Sequence, residues 1–186
     1  MDYLKLEFEK HVEKITDYLK TKDYVEAEKS AKELIKEFPD KLSLYNLLGL
    51  SLHFQNKYSE AAKNFEFAIN KDPKFFSALN NLGITYWSMG DLINAQLFFK
   101  KAIKANPKFI MPIYNLGNIK KELNNVEEAI KIYKQALKID NKNHIVLNNL
   151  GISFQNIGNF NEAKKYFESL IKIDPKNTRS YRLLGM

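Results

Sequence analysis

The sequence predicts an all-α protein built from stacked antiparallel helix pairs. A column of five glycines lies at intervals of 34 residues, and each glycine follows a leucine: Gly49, Gly83, Gly117, Gly151 and Gly185. A column of alanines with the same spacing runs from Ala27 to Ala163. Between these columns, apolar residues recur every three or four residues, which is the period of an amphipathic helix. Self-similarity at this fixed period indicates a repeat array.

The repeats divide the chain into one array that covers residues 1–186. A degenerate repeat at 8–41 precedes complete repeats at 42–75, 76–109, 110–143 and 144–177, and a partial repeat occupies 178–186. We therefore expect five helix pairs plus a terminal partial helix. The first repeat has Lys14 and Ile15 where later repeats have Leu-Gly. Terminal repeats are often atypical, because one of their sides faces water.

Local signals predict where the individual helices begin and end. The first helix covers about residues 1–20, and the second runs from about Tyr24 to Phe38, where Pro39 ends it because proline cannot continue the helical hydrogen bonds. Asn56 ends the first helix of the next repeat, since asparagine tolerates the left-handed backbone of a helix terminus. Three later repeats end at Pro73, Pro107 and Pro175, and Asn141 replaces this proline in the repeat at 110–143.

The glycine and alanine columns predict close contact between the two helices of a pair. Glycine inside a helix costs about 1 kcal/mol relative to alanine, so its recurrence implies a packing reason. We expect a larger side chain at either column to overpack the interface at a cost of roughly 1–3 kcal/mol. An aromatic column is expected to fill the gap to the following pair: Phe65, Phe99, Tyr133 and Phe167.

Composition and motifs exclude several classes of function. The chain has no cysteine, which excludes disulfides, thiolate metal sites and a cysteine nucleophile. The acidic start does not resemble a signal peptide, and no apolar run is long enough to predict a membrane span. There is no phosphate loop, serine elbow or histidine–carboxylate constellation, and the three histidines lie in three different repeats. We therefore expect a cytoplasmic protein that is not an enzyme and binds no metal or cofactor.

The order of motifs resembles the tetratricopeptide repeat (TPR), a family with a period of 34 residues. The stretch Asn81-Leu82-Gly83 followed by Ala95 and Phe99 matches that pattern, as does Glu-Ala at the start of second helices. The resemblance covers residues 8–186. It implies a right-handed superhelical solenoid of antiparallel helix pairs. It also implies that the first helices line a concave groove, which in this family commonly binds a peptide or an extended segment of a partner.

The resemblance places a set of polar and aromatic side chains in this groove. Asparagines precede three Leu-Gly pairs, and such a row resembles the asparagine ladder of O-linked N-acetylglucosamine transferases, in which amides hold a peptide backbone. The ladder residues are Asn81, Asn115 and Asn149. The other candidates are Asn46, Asn80, Asn118, Asn148, Tyr114, His53 and Trp87. An alternative interpretation is that the asparagines order the helix pairs and that Trp87 packs on a neighbouring helix. A second binding mode of this family is the carboxylate clamp, in which lysines and asparagines of three consecutive first helices hold the C-terminal tail of heat-shock chaperones. The clamp is incomplete in this sequence, because Tyr114 and Leu183 stand where it requires basic residues.

The function that we predict is a protein-interaction scaffold whose groove binds a peptide or partner segment. The alternative is a non-catalytic TPR region of a larger glycosyltransferase or sulfotransferase, used for substrate presentation or dimerisation. The net charge of +7 is compatible with an acidic partner, but a lysine-rich solvated surface is the preferred explanation. Nucleic acid is not expected, because the only two arginines lie at the end of the chain.

The partial repeat at the end of the array has only nine residues, which cap an array poorly. We therefore expect either a longer protein or a homo-oligomer formed through exposed terminal repeats.

Overall fold

The fold consists of consecutive α-helical pairs. The computed structural model describes residues 2–176 and residue 181, with side chains from residue 6 onward. Ten helices lie in this range: α1 (Asp2–Lys20), α2 (Tyr24–Glu37), α3 (Leu42–Phe54), α4 (Tyr58–Lys71), α5 (Phe76–Ser88), α6 (Leu92–Ala105), α7 (Ile110–Glu122), α8 (Val126–Ile139), α9 (His144–Asn156) and α10 (Phe160–Ile173). The predicted all-α architecture of helix pairs is confirmed. Apart from Tyr181, the partial repeat at 178–186 lies outside the described residues.

The helices fall into two compact units, residues 1–106 and residues 107–186. Within each unit every helix packs against the next one along the chain. The core of the first unit contains Ile15, Leu44 and Phe65, all fully buried. The core of the second unit contains Ile119, Tyr133 and Leu150, which are also fully buried. No helix in the described part of the chain is both long and apolar enough to cross a membrane.

The joint between the two helices of a pair has the same backbone geometry in every repeat. One residue per joint has a positive φ: Lys22 (65°), Asn56 (61°), Gly90 (80°), Asn124 (57°) and Gly158 (75°). The next residue donates its N–H to the carbonyl five positions earlier, as Asp23 does to Tyr18 at 2.8 Å. This bond satisfies a carbonyl that the helix end would otherwise leave unpaired. The prediction that Asn56 ends its helix in the left-handed region is confirmed.

The first joint has a lysine, Lys22, in the left-handed backbone region, where glycine is more favourable because it has no Cβ. A non-glycine residue in this region costs roughly 1 kcal/mol, and Lys22 is exposed. We expect Lys22→Gly to raise the free energy of unfolding by about 1 kcal/mol. Lys29→Gly, an exposed change within α2, should lower it by about the same amount. Urea unfolding followed by circular dichroism measures both, and effects of the same sign would contradict this account.

The glycine column faces the aromatic column of the same helix pair. A Cβ built on Gly83 would lie 2.6 Å from Cε1 of Phe99, and one built on Gly117 would lie 2.5 Å from Cε1 of Tyr133. Gly49 and Gly151 face Phe65 and Phe167 in the same way. The expected packing reason for the glycines is therefore present. The aromatic rings, which we expected in the gap between pairs, lie on the glycine of their own pair, because only glycine leaves room for the ring.

The first two repeats are tied together by Glu28 of α2. Its carboxylate accepts hydrogen bonds from Nζ of Lys57 at 2.9 Å and from Nε2 of Gln55 at 2.8 Å, and it also pairs with Lys32. Burial raises the pKa of this carboxyl group, but the hydrogen bonds from Lys32, Lys57 and Gln55 outweigh burial and lower the pKa to about 2. Glu28 therefore stays ionised and links α2 to the residues that join α3 and α4.

Candidate functional site

In the first unit, the candidate asparagines bond to one another between neighbouring first helices. Nδ2 of Asn81 on α5 donates to Oδ1 of Asn46 on α3 at 2.9 Å. Nδ2 of Asn80 lies 3.4 Å from Oδ1 of Asn81. Asn80 is buried, whereas Asn46 and Asn81 are half-buried and keep contact with solvent. The amides of Asn46 and Asn81 therefore brace two helices, and both residues remain partly exposed.

His53 forms a second bridge between the same two helices. Its Nδ1 lies 3.0 Å from Oγ1 of Thr85, and that hydroxyl donates its single proton to the carbonyl of Asn81 at 2.8 Å. The hydroxyl must then accept from His53, so the ring carries its proton on Nδ1. Burial lowers the pKa of His53, which favours this neutral form. Nε2 of His53 is left as an acceptor.

Trp87 lies one repeat after His53 at the same repeat position. Its ring meets Phe99 edge to face, with centroids 6.4 Å apart and planes at 85°. The indole is half-buried. This contact agrees with the interpretation in which Trp87 packs on a neighbouring helix, although part of the ring remains accessible.

In the second unit, two of the candidates are held by internal contacts. Asn115 is 5% exposed and belongs to the buried face of α7. Oδ1 of Asn118 accepts a hydrogen bond from the hydroxyl of Tyr133 on α8. Burial, together with the proximity of Tyr114, raises the pKa of Tyr133 well above its ordinary value, so the hydroxyl remains a donor. Tyr133 thus differs from the phenylalanines of its column by positioning Asn118.

Three other candidates lie together in one open cleft of about 430 Å³ within the second unit. They are Tyr114, Asn148 and Asn149. The cleft is also lined by residues that the sequence analysis did not select: Lys121, His144, Ile145, Ile152 and Leu170. The cleft combines apolar walls with convergent amide, phenol and ammonium groups, which is typical of sites that bind a ligand in a fixed orientation.

Lys121 is the most informative of the missed residues. It is half-buried, and Nζ donates to Oδ1 of Asn149 at 3.2 Å. Nδ2 of Asn149 donates in turn to the carbonyl of Ile145 at 2.9 Å. Lys121 occupies the repeat position of His53 and Trp87, four residues after the glycine. Following that column into the next repeat would have identified it.

The structure thus separates the ten candidates into three groups. Asn80, Asn115 and Asn149 are buried. The half-buried residues of the first unit are Asn46, Asn81, His53 and Trp87, and those of the second unit are Tyr114, Asn118 and Asn148. No set of three or more histidine, aspartate or glutamate side chains in the described range is placed to hold a metal ion.

Comparison with known sequence families identifies the repeat. A model described as TPR repeat matches residues 49–90 and 117–158, and two models described as tetratricopeptide repeat match residues 76–109 and 144–177. Together they cover more than half of the chain. The chain belongs to the tetratricopeptide repeat family. No curated protein sequence matches this TPR protein.

Solved TPR structures share its fold at low sequence identity. TTC0263, a thermophilic TPR protein of Thermus thermophilus, is 17% identical with a TM-score of 0.79, and the match covers 96% of this chain and 100% of that one. MamA is 19% identical with a TM-score of 0.73, over 88% and 95% of the two chains. YrrB, described as a TPR protein with an unusual peptide-binding site, is 14% identical with a TM-score of 0.67, over 95% and 91%. At these identities the likeness concerns the fold.

Proposed function

We propose that this TPR protein is a protein-interaction scaffold that binds an extended segment of a partner on its first helices. The observation that carries the proposal is the cleft of the second unit, where Tyr114, Asn148 and Asn149 converge. The amide of Asn148 has no hydrogen-bond partner within the part of the chain that the structure describes. An amide offers a donor and an acceptor, which are the two groups needed to pair with a peptide unit.

The chemistry of the cleft favours a peptide over a small apolar ligand. Ile145 and Ile152 supply apolar surface for a side chain, while Tyr114 offers an aromatic ring with a polar tip. Aromatic anchors are enriched among the residues that dominate binding energy at protein interfaces. The peptide-binding site described for YrrB is a precedent for peptide binding by a protein of this fold. In the first unit, the half-buried amides of Asn46 and Asn81 offer a separate polar surface of the same chemical kind.

A paired substitution in the cleft tests this proposal. Peptides selected by the unmodified chain from a random display library would be synthesised, and their affinities measured by fluorescence polarisation. We expect Tyr114→Ala combined with Asn148→Ala to weaken binding by about tenfold or more, because an aromatic anchor and a hydrogen-bonding amide are both lost.

The control for this experiment is Asn161→Ala, which removes an exposed amide from α10 of the same unit. It should leave the affinity within about twofold, since surface changes away from a binding site have small effects. Circular dichroism checks that both variants keep their helical content. Equal affinities for the double variant and the unmodified chain would rule out the cleft as the peptide site, and a failure to select any peptide would count against the proposed function.

A further inference from the structure

Helix α6, the second helix of its pair in the first unit, has two exposed aliphatic side chains one turn apart. Ile93 is 81% exposed, more than any other large apolar side chain of the described residues, and Leu97 is 44% exposed. At the repeat position of Leu97, the four other repeats have lysine: Lys29, Lys63, Lys131 and Lys165. The outward face of α6 is therefore apolar where the other second helices carry a solvated charge.

Lysines continue this face towards the C-terminal end of α6. From Ile93 onward, intervals of four, three and four residues lead to Leu97, Lys100 and Lys104, and both lysines are exposed. These intervals are those of a coiled-coil seam, so the four side chains project from one face of the helix. At a rise of 1.5 Å per residue, this α6 stripe is about 16 Å long. Its first half is apolar and its second half is basic.

The two lysines of the α6 stripe have no ionic partner. In the part of the chain that the structure describes, no carboxylate forms an ion pair with Lys100 or Lys104. Asp91 is the only acidic residue in the repeat at 76–109, and it caps α6 by accepting hydrogen bonds from Asn94. The positive charge of the stripe is therefore available to acidic groups of another molecule.

We propose that the α6 stripe is a docking surface for an amphipathic helix of a partner protein, whose own seam has two aliphatic residues next to two acidic residues. The seam spacing favours a helix, because a helical segment presents side chains at alternating intervals of three and four residues. Opposite charge favours acidic residues against Lys100 and Lys104. This surface is separate from the cleft of the second unit, and it takes a helix rather than an extended segment.

A lipid surface matches the α6 stripe less well than a helix does. Helices that lie in a membrane interface have an apolar face along their whole length and a separate polar face that carries the lysines. In α6 the exposed apolar and basic residues follow one another along the same stripe instead. The order along the axis matches a partner segment whose apolar and acidic residues are also separated along its length.

A display library of helical peptides tests this proposal, with the full chain as the target. Each peptide has about 18 residues, which is long enough to form a helix in an alanine-rich background. Four seam positions with the intervals of the α6 stripe are randomised. We expect the selected peptides to have aliphatic residues at two neighbouring seam positions and aspartate or glutamate at the other two.

Two paired substitutions connect the selected peptides to the α6 stripe, with affinities measured by fluorescence polarisation. Ile93→Ser combined with Leu97→Gln should weaken binding by at least about tenfold, because two apolar contacts are lost. Lys100→Gln combined with Lys104→Gln should weaken binding by about fivefold and reduce its dependence on salt. All four positions are exposed, and circular dichroism checks that both variants keep their helical content.

Each pair has a matched control in the same unit. Val25→Ser removes an exposed aliphatic side chain from α2 at the repeat position of Ile93. Lys63→Gln combined with Lys71→Gln removes two exposed charges from α4. Both controls should leave the affinity within about twofold, since surface changes away from a binding site have small effects.

The proposal is overturned if no helical peptide is selected, if the selected peptides lack acidic residues, or if the variant with Ile93→Ser and Leu97→Gln binds them as well as the unmodified chain. Vesicles of phosphatidylcholine and phosphatidylserine test the lipid alternative by co-sedimentation, and we expect no binding. Co-sedimentation that is lost in the same variant would assign the α6 stripe to a membrane and overturn the helix proposal. Peptides that require Tyr114 and Asn148 but not the α6 stripe would support the proposed function and refute this inference.

Discussion

Replacing Gly83 with valine is expected to lower the free energy of unfolding by about 3 kcal/mol. A Cβ at this position would lie 2.6 Å from Cε1 and 2.7 Å from Cδ1 of Phe99, whose side chain is fully buried. Close-packed interiors leave a fully buried ring little room to move, and overpacking of this kind typically costs roughly 1–3 kcal/mol. The two methyl groups of valine add to the contact. Chemical denaturation followed by circular dichroism measures the loss.

A double-mutant cycle isolates the contact between glycine and ring. Gly83→Ala should lower the free energy of unfolding by about 1 kcal/mol. The overpacking costs more than this, but the higher helix propensity of alanine offsets about 1 kcal/mol of that cost. In a Phe99→Leu background the same change should become stabilising, since the clashing ring atoms are gone. Gly90→Ala is the control: nothing lies within 4 Å of its added Cβ, and its cost comes from a φ of +80°. An unchanged sign for Gly83→Ala in the two backgrounds would refute the contact.

The second large effect is expected from Glu28→Gln, which should destabilise the protein by about 2 kcal/mol at pH 7. The substitution preserves shape but removes the charge that Lys32, Lys57 and Gln55 share. The Glu28 side chain is 12% exposed, but those of Lys32 and Lys57 are 52% and 42% exposed, so solvent screens the two ion pairs in part. Hydrogen bonds to charged groups typically contribute about 1.5–3 kcal/mol.

The lowered pKa of Glu28 also predicts how the free energy of unfolding depends on pH. The pKa of Glu28 falls from 4.5 to about 2 on folding. The unfolded chain therefore takes up the proton first, and the contribution of Glu28 is complete above pH 4.5 and is lost as the pH falls towards 2. The difference between Glu28→Gln and the unmodified chain should shrink across that window.

The control for the acid experiment is Glu33→Gln, an equal change of charge at an exposed position of the same helix. It should alter the free energy of unfolding by less than about 0.5 kcal/mol at any pH in the window. A constant difference for Glu28→Gln between pH 7 and pH 3, measured by urea unfolding, would contradict the assigned pKa.

Residue types and spacing were sufficient to predict the helices and the joints between them. The helical period, the prolines after second helices and the asparagine at position 56 are local signals, because they depend on backbone preferences within a few residues. The column of glycines predicted close packing for a similar reason: glycine recurs within helices, where it is unfavourable unless space is needed. The family resemblance rests on these same residues.

The tertiary structure decided which atoms these residues contact. It placed Phe99 on the glycine of its own pair, joined Asn81 to Asn46 across two helices, and left Lys121 half-buried opposite Asn149. Burial and hydrogen bonding depend on side-chain directions and on neighbours about one repeat away, which the identity of a residue does not specify. The sequence by itself thus determined a TPR scaffold and the columns in which its variable residues lie. Only the folded chain distinguished the asparagines that brace helices from Asn148, which makes no hydrogen bond within the described residues.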